Sequence, residues 1–149
     1  MRIKVFKQNI ENLWINFQSK KMTPSFLTLN DIIEIHEMEI EISGGKPGIR
    51  DLHLLESAIG SVEATFDGKY LYSIFEMAAT YIHAICFNHP FFDGNKRTGL
   101  ASGLTFLYIN GYELDEDYDE EFADLVLNLV TKKIDKHFLS EFLEKRSLT

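Results

Sequence analysis

The chain has 149 residues, the length of a single domain, and its composition of 45% hydrophobic and 26% charged residues is ordinary for a soluble globular protein. The formal net charge of -8 disfavours generic electrostatic binding to nucleic acid. A single cysteine excludes an intrachain disulfide, and neither a bilayer-spanning apolar run nor the apolar core of a signal peptide is found, so we expect a cytoplasmic protein with no membrane partner.

Residues 1–25 are predicted to form a helical N-terminal extension of a main domain at residues 26–149. Apolar side chains recur in this extension at the spacing of one helix face, which predicts an amphipathic helix over residues 5–19. A short strand over residues 1–6 is the alternative for its beginning. The apolar face consists of Ile10, Leu13, Trp14 and Phe17.

Thr28 followed by Asp31 predicts the capped start of a helix that ends at Gly44. His36 falls on the apolar face of this helix, and we interpret it as a hydrogen-bonded core histidine rather than a ligand. Residues 43–50 contain glycines and a proline and are therefore the most loop-like segment of the chain.

Asp51 is expected to cap a short helix, and residues 65–69 are expected to form a turn. A broad apolar stripe then predicts a central helix over residues 71–87. This helix contains Cys86, which we interpret as a small buried side chain rather than a nucleophile. A second central helix is predicted over residues 98–110.

Two further helices are predicted before the C-terminus, after a strongly acidic connection at residues 113–121. No repeat, low-complexity segment or strand-rich run is found. The predicted fold class is all-α: a compact helical bundle in which one loop, residues 89–99, connects the two central helices.

This loop is the part of the chain that is richest in chemistry. It begins with His89, a side chain suited to general-base work near neutral pH, and contains Asp93, a carboxylate that can hold Mg²⁺ against phosphate. It opens onto a helix N-terminus, where free backbone N–H groups and the helix dipole favour an anion. Taken singly, these residues also fit a capped helix with solvated charges. The residues at the helix start are Gly94, Asn95, Lys96 and Arg97.

The loop resembles the core motif of the Fic/Doc (death-on-curing) superfamily, H-x-F-x-(D/E)-(G/A)-N-(K/G)-R. The resemblance extends from about residue 26 to the C-terminus and includes Gly-Ile-Arg-Asp at residues 48–51, which is similar to a recurrent Doc-type segment. It implies an all-α fold in which residues 43–50 form a flap that holds an extended target segment. The matching motif residues are His89, Phe91, Asp93, Gly94, Asn95, Lys96 and Arg97.

The resemblance also implies a role for each motif residue. His89 would take the proton from a hydroxyl group of a target protein, Asp93 would bind Mg²⁺, and Phe91 would anchor the loop in the core. ATP is the implied substrate. The implied phosphate-binding residues are Gly94, Asn95, Lys96 and Arg97.

Two residues bear on the type of transfer. AMP-transferring Fic enzymes usually read G-N-G-R-x-x-R, whereas this chain has Lys96 at the second glycine and Leu100 at the second arginine. Doc proteins read N-K-R-T, as residues 95–98 do here, and are understood to move the γ-phosphate of ATP onto a translation elongation factor. Gly94 and the His-Pro-Phe beginning are Fic-like, so AMP transfer is the alternative, and an inactive binding module is the second alternative.

Fic enzymes are often restrained by an inhibitory helix with the pattern (S/T)-x-x-x-E-(G/N). The nearest match runs from Ser140 to Glu144, but Lys145 replaces its last residue. We therefore expect a separate antitoxin, bound as a peptide or helix, rather than a built-in inhibitor in this helix. The N-terminal helix is the alternative, internal restraint.

Overall fold

The computed structural model describes residues 23–115 and 119–148, which form six α-helices and one small hairpin and so confirm the predicted all-α fold. No helix within these ranges is long and apolar enough to cross a membrane. The predicted helix over residues 5–19 and its strand alternative lie outside the described residues. The elements are α1 (Leu29–Ser43), α2 (Leu52–Val62), β1 (Thr65–Phe66), β2 (Lys69–Tyr70), α3 (Ile74–Asn88), α4 (Asn95–Ile109), α5 (Asp119–Val130) and α6 (Lys136–Lys145).

Side-chain caps fix where helices begin. The Thr28 hydroxyl accepts a hydrogen bond from Asp31 N at 3.1 Å, and the Asp31 carboxylate accepts one from Thr28 N at 2.8 Å, which confirms the predicted start of α1. Ser73 and Glu76 form the same reciprocal pair at α3. This cap explains why α3 begins at residue 74, whereas the apolar stripe predicted a start at residue 71. Asp51 and Asp135 cap α2 and α6 through their side chains.

The segment predicted as a plain turn, residues 65–69, belongs to a small antiparallel hairpin. Thr65 pairs with Tyr70 and Phe66 with Lys69, and the two residues between them, Asp67 and Gly68, both have positive φ. Two residues with positive φ between strands are typical of the tight hairpin turn whose twist suits paired strands. Periodicity did not predict these strands because they are only two residues long.

The central helix is α3, which packs against α2, α4, α5 and α6. Its closest neighbour is α4, because two glycines of α4 face it. A Cβ added to Gly99 would lie 2.9 Å from Cys86 Sγ, and one added to Gly103 would lie 2.6 Å from Ile82 Cγ1. The small residues of α4 therefore permit the two central helices to pack closely.

A methyl group at Gly103 is expected to destabilise the fold by about 1–3 kcal/mol, the usual range for overpacking a core. The reason is that the new Cβ would also lie 2.9 Å from the backbone oxygen of Ala78, which cannot rotate away. Urea denaturation of Gly103→Ala measures this loss. Gly60→Ala is the matched control, because that glycine is also helical and no atom of the described residues lies within 4 Å of its added Cβ. The control should be neutral or more stable by about 0.4–1 kcal/mol, and equal losses in both variants would contradict the close-packing argument.

The connection between α3 and α4 carries the motif, and the segment between α1 and α2 runs beside it. Ile49 and Phe91 form an isolated antiparallel bridge, and Phe92 N donates to the Gly48 carbonyl at 3.2 Å. The two loops are therefore paired through their backbones, which brings the predicted flap segment next to the motif.

Candidate active site

The motif loop begins and ends with left-handed backbone. His89 is the C-cap of α3 with φ +50° and ψ +55°, and Gly94 is the N-cap of α4 with φ +77°. Glycine adopts this conformation freely, whereas for other residues it costs about 1–2 kcal/mol. His89 therefore keeps this backbone only because its surroundings hold it there.

Helix α4 begins at Asn95 and not at residue 98 as predicted, so Asn95, Lys96 and Arg97 form its first turn. Among the residues that the structure describes, no side chain caps this start, in contrast to the side-chain caps of α1, α2, α3 and α6. Thr98 N makes the first helical hydrogen bond, to the Gly94 carbonyl at 2.9 Å. The preceding backbone N–H groups are thus left at the positive end of the helix dipole, where an anion is favoured.

A cavity of about 250 Å³ lies over this helix start. Of the seven predicted site residues, only Phe91 does not line it. His89, Asp93 and Lys96 are exposed, so an imidazole, a carboxylate and a cation are accessible from one cavity. The lining residues are His89, Phe92, Asp93, Gly94, Asn95, Lys96 and Arg97.

Phe91 lies below the cavity and is 1% exposed. Its ring stacks on His36 of α1, with ring centres 3.8 Å apart and planes within 6° of parallel. His36 Nε2 lies 2.7 Å from the Asp93 carbonyl oxygen, and because a carbonyl only accepts, Nε2 must carry the proton and donate. Burial lowers the pKa of His36 below its ordinary value, which favours this neutral ring. The prediction of a hydrogen-bonded core histidine is confirmed, and the histidine supports the motif loop.

The side chain of Asn95 forms hydrogen bonds within the motif loop. It is buried, its Oδ1 accepts from Phe91 N at 3.0 Å, and its Nδ2 donates to the Phe91 carbonyl at 2.9 Å. The same Nδ2 lies 3.3 Å from Nδ1 of His89. The amide thus fastens both Phe91 and His89, and the group that Asn95 offers to an anion is its backbone N–H.

Asp93 offers an exposed carboxylate at the edge of the cavity. One oxygen, Oδ2, accepts a hydrogen bond from Lys46 N at 2.6 Å, which ties the flap segment to the motif. No group of three or more His, Cys, Asp or Glu side chains that could hold a metal occurs within residues 23–115 and 119–148. A single carboxylate suits Mg²⁺, since this ion is usually held by one or two carboxylates together with substrate phosphates and water.

The two cations of the motif differ in their surroundings. Arg97 Nη2 donates to the Gly44 carbonyl at 3.1 Å, and Nη1 donates to the Glu39 carbonyl at 3.4 Å, so its guanidinium lies at the C-terminal end of α1. A cation there is stabilised by the negative end of the helix dipole. Lys96 is the more exposed of the two and lines the same cavity.

Sequence reasoning gave no structural role to Arg50, at the end of the flap segment. Its Nε donates to the His89 carbonyl at 2.7 Å and its Nη2 donates to the Asn88 carbonyl at 3.0 Å. The backbone N–H groups of Arg50 and Asp51 both donate to the next carbonyl, that of Pro90. The only sequence feature that pointed to Arg50 was the Gly-Ile-Arg-Asp segment, because helical periodicity does not apply to a residue in a loop.

Cys86 is buried beside α4 and takes no part in the cavity. Burial raises the pKa of its thiol to about 12, so a thiolate is not formed near neutral pH. The interpretation of Cys86 as a small buried side chain is confirmed.

A family model and two known proteins are similar to this chain in sequence. A family model described as the Fic/DOC family matches residues 26–107. The chain is 35% identical over 115 residues to "Protein kinase doc" of Escherichia phage P1, an alignment that covers 77% of this chain and 90% of that protein. It is 37% identical over 91 residues to "Toxin Doc" of Mycolicibacterium smegmatis (strain ATCC 700084 / mc(2)155), covering 60% of this chain and 70% of that protein.

Proposed function

The chain belongs to the Fic/DOC family, and on that premise we propose that it is a Doc-like toxin that transfers the γ-phosphate of ATP to a hydroxyl group of a target protein. A translation elongation factor is the proposed target class, following the resemblance of the motif. The observation that carries the proposal is that His89 and the uncapped first turn of α4 line one cavity.

Phosphoryl transfer requires little covalent chemistry from the protein, because it depends mainly on how the reacting groups are positioned and on how the phosphate charge is neutralised. His89 takes the proton of the target hydroxyl as that oxygen bonds to the γ-phosphorus. The bond from the γ-phosphorus to the β,γ-bridging oxygen breaks, and ADP leaves. The backbone N–H groups of the first turn of α4, together with Lys96, hold phosphate oxygens through this step.

Asp93 is the proposed Mg²⁺ ligand, because it is an exposed carboxylate on the wall of the same cavity. The ion supplies charge neutralisation on the phosphates when it is bound. Arg97 lines the same cavity. It is the second cation, after Lys96, that is proposed to contact the phosphates.

Two positions favour γ-phosphate transfer over AMP transfer. Lys96 brings a long cationic side chain into the cavity wall where AMP-transferring relatives have glycine. Leu100 is partly buried and packs against the core, so a γ-phosphate partner is missing where those relatives have an arginine. AMP transfer would instead be favoured by Gly94 and the His-Pro-Phe beginning of the motif.

A separate antitoxin is the proposed restraint on this activity. The nearest match to an inhibitory helix, from Ser140 to Glu144, lies within α6. Ser140 is buried there and its hydroxyl donates to the His137 carbonyl at 2.7 Å, so this serine is part of the helix packing. The names of the two relatives, a toxin and a kinase, agree with an externally restrained enzyme.

Label transfer tests the proposed reaction. Purified protein is incubated with a bacterial lysate and with ATP labelled at either the α- or the γ-phosphate, and a His89→Ala preparation runs beside it. We expect protein-bound label from γ-labelled ATP alone, and none from the variant. Label from α-labelled ATP would establish AMP transfer instead, and label from neither form, with ATP binding intact, would favour a binding module.

A further inference from the structure

The backbone around His89 is held from one side by Arg50. The guanidinium donates to two successive carbonyls, those of Asn88 and His89, at 3.0 Å and 2.7 Å. The main-chain N–H of Arg50 donates to the third, that of Pro90. These three carbonyls span the point where α3 ends and the chain turns through the left-handed conformation of His89.

We propose that Arg50 is a positioning residue for the base: its two-pronged contact with the carbonyls of Asn88 and His89 holds His89 in its left-handed conformation, with the ring at the cavity. This rests on the proposed function, in which His89 accepts the proton. Arg50 is well suited to the task, because a guanidinium presents several N–H donors in a fixed planar fork. A lysine can reach one carbonyl but cannot reproduce the fork.

A direct contact with the nucleotide is the competing role for an exposed arginine beside a phosphate site. The geometry argues against it, because Arg50 does not belong to the cavity lining, whereas Lys96 and Arg97 do. The flap segment therefore contributes to catalysis through the backbone of the motif as well as by lying beside it.

Arg50→Ala and Arg50→Lys test this role against Lys69→Ala, an exposed cation on the hairpin whose loss changes the net charge equally. Three quantities are compared in each protein: the Cα and Cβ NMR chemical shifts of His89, the affinity for ATP by calorimetry, and the rate of γ-label transfer into lysate protein at saturating ATP. Thermal unfolding of each variant verifies that it is folded.

Arg50→Ala should move the His89 shifts away from left-handed values and slow transfer by about 10-fold to 100-fold, because a displaced catalytic group loses alignment. ATP affinity should stay within about twofold of wild type, and Arg50→Lys should recover part of the rate. The control should match wild type in all three quantities.

Unchanged His89 shifts in Arg50→Ala would overturn the proposal, and weaker ATP binding with those shifts unchanged would assign Arg50 to the nucleotide instead. If Arg50→Ala does not fold, the His89 shifts and the ATP affinity of Arg50→Lys decide between the positioning role and the nucleotide contact. Absence of label transfer by the wild-type protein would count against the proposed function, while the His89 shifts would still decide whether Arg50 positions the residue.

Discussion

A His89→Ala variant is expected to fold and to bind ATP like the wild-type protein but to transfer the γ-label about 100-fold to 10,000-fold more slowly, the usual contribution of a general base. His89 is exposed in the cavity, so its side chain contributes little to the core. Its removal takes away the proposed proton acceptor without opening a buried space. The measurement is the initial rate of γ-label incorporation, together with ATP affinity by calorimetry.

The left-handed backbone of His89 calls for a second variant. Alanine adopts this conformation reluctantly, whereas asparagine is among the residues that tolerate it best. His89→Asn therefore preserves the backbone while it removes the base, and both variants should be equally slow. Growth arrest on expression should disappear with the transfer activity; toxicity retained by a folded, inactive variant would mean that the protein acts by binding.

Most helices could be predicted because each has an apolar face of the right period, but their ends depended on other interactions. The pattern placed the beginning of α3 at residue 71, whereas the reciprocal cap of Ser73 and Glu76 begins it at residue 74. The beginning of α4 was predicted too late, at residue 98, whereas the helix begins at residue 95. Its first turn is polar, and Gly94 rather than a capping side chain begins it, so neither apolar period nor cap chemistry marked it.

The candidate site likewise has a part that the sequence predicts and a part that depends on tertiary contacts. The motif indicated the candidate residues because they lie close together in sequence, but it did not indicate the residues that hold them. His36 lies 57 positions from Asp93 in sequence, and Arg50 lies 39 positions from His89. Such pairs meet only when α1 and the flap segment are folded against the motif, and helical periodicity does not indicate that contact.

These supports matter because the motif loop contains little secondary structure of its own. Between α3 and α4 it is fixed by the Asn95 amide, by the backbone pairing with Ile49 and Gly48, and by the ring of Phe91. Of these, the buried ring should contribute most to stability, since a net hydrogen bond is worth only about 0.5–1.5 kcal/mol. The loop is therefore expected to depend on the core to which it is anchored.

Phe91→Ala should accordingly lower the free energy of unfolding by about 3–5 kcal/mol, the range for removing a buried phenylalanine ring. The ring is 1% exposed and stacks on His36 at 3.8 Å, so its loss leaves a cavity beneath the motif and removes the surface on which His36 packs. A domain of this kind has about 5–15 kcal/mol of stability in total, so the variant would lose a large fraction of it. Urea denaturation followed by circular dichroism measures the loss.

The neighbouring Phe92 supplies the matched control, because it is the same residue type in the same loop but is 45% exposed and contacts the Lys46 ammonium at 4.1 Å from its ring centre. Phe92→Ala should cost less than about 1 kcal/mol, as is usual for an exposed site. Phe91→Leu, which keeps most of the buried volume, should fall between the two. If the two alanine variants lost equal stability, burial of the ring would not be what anchors the loop, and the hydrogen bonds of Asn95 would have to hold the motif instead.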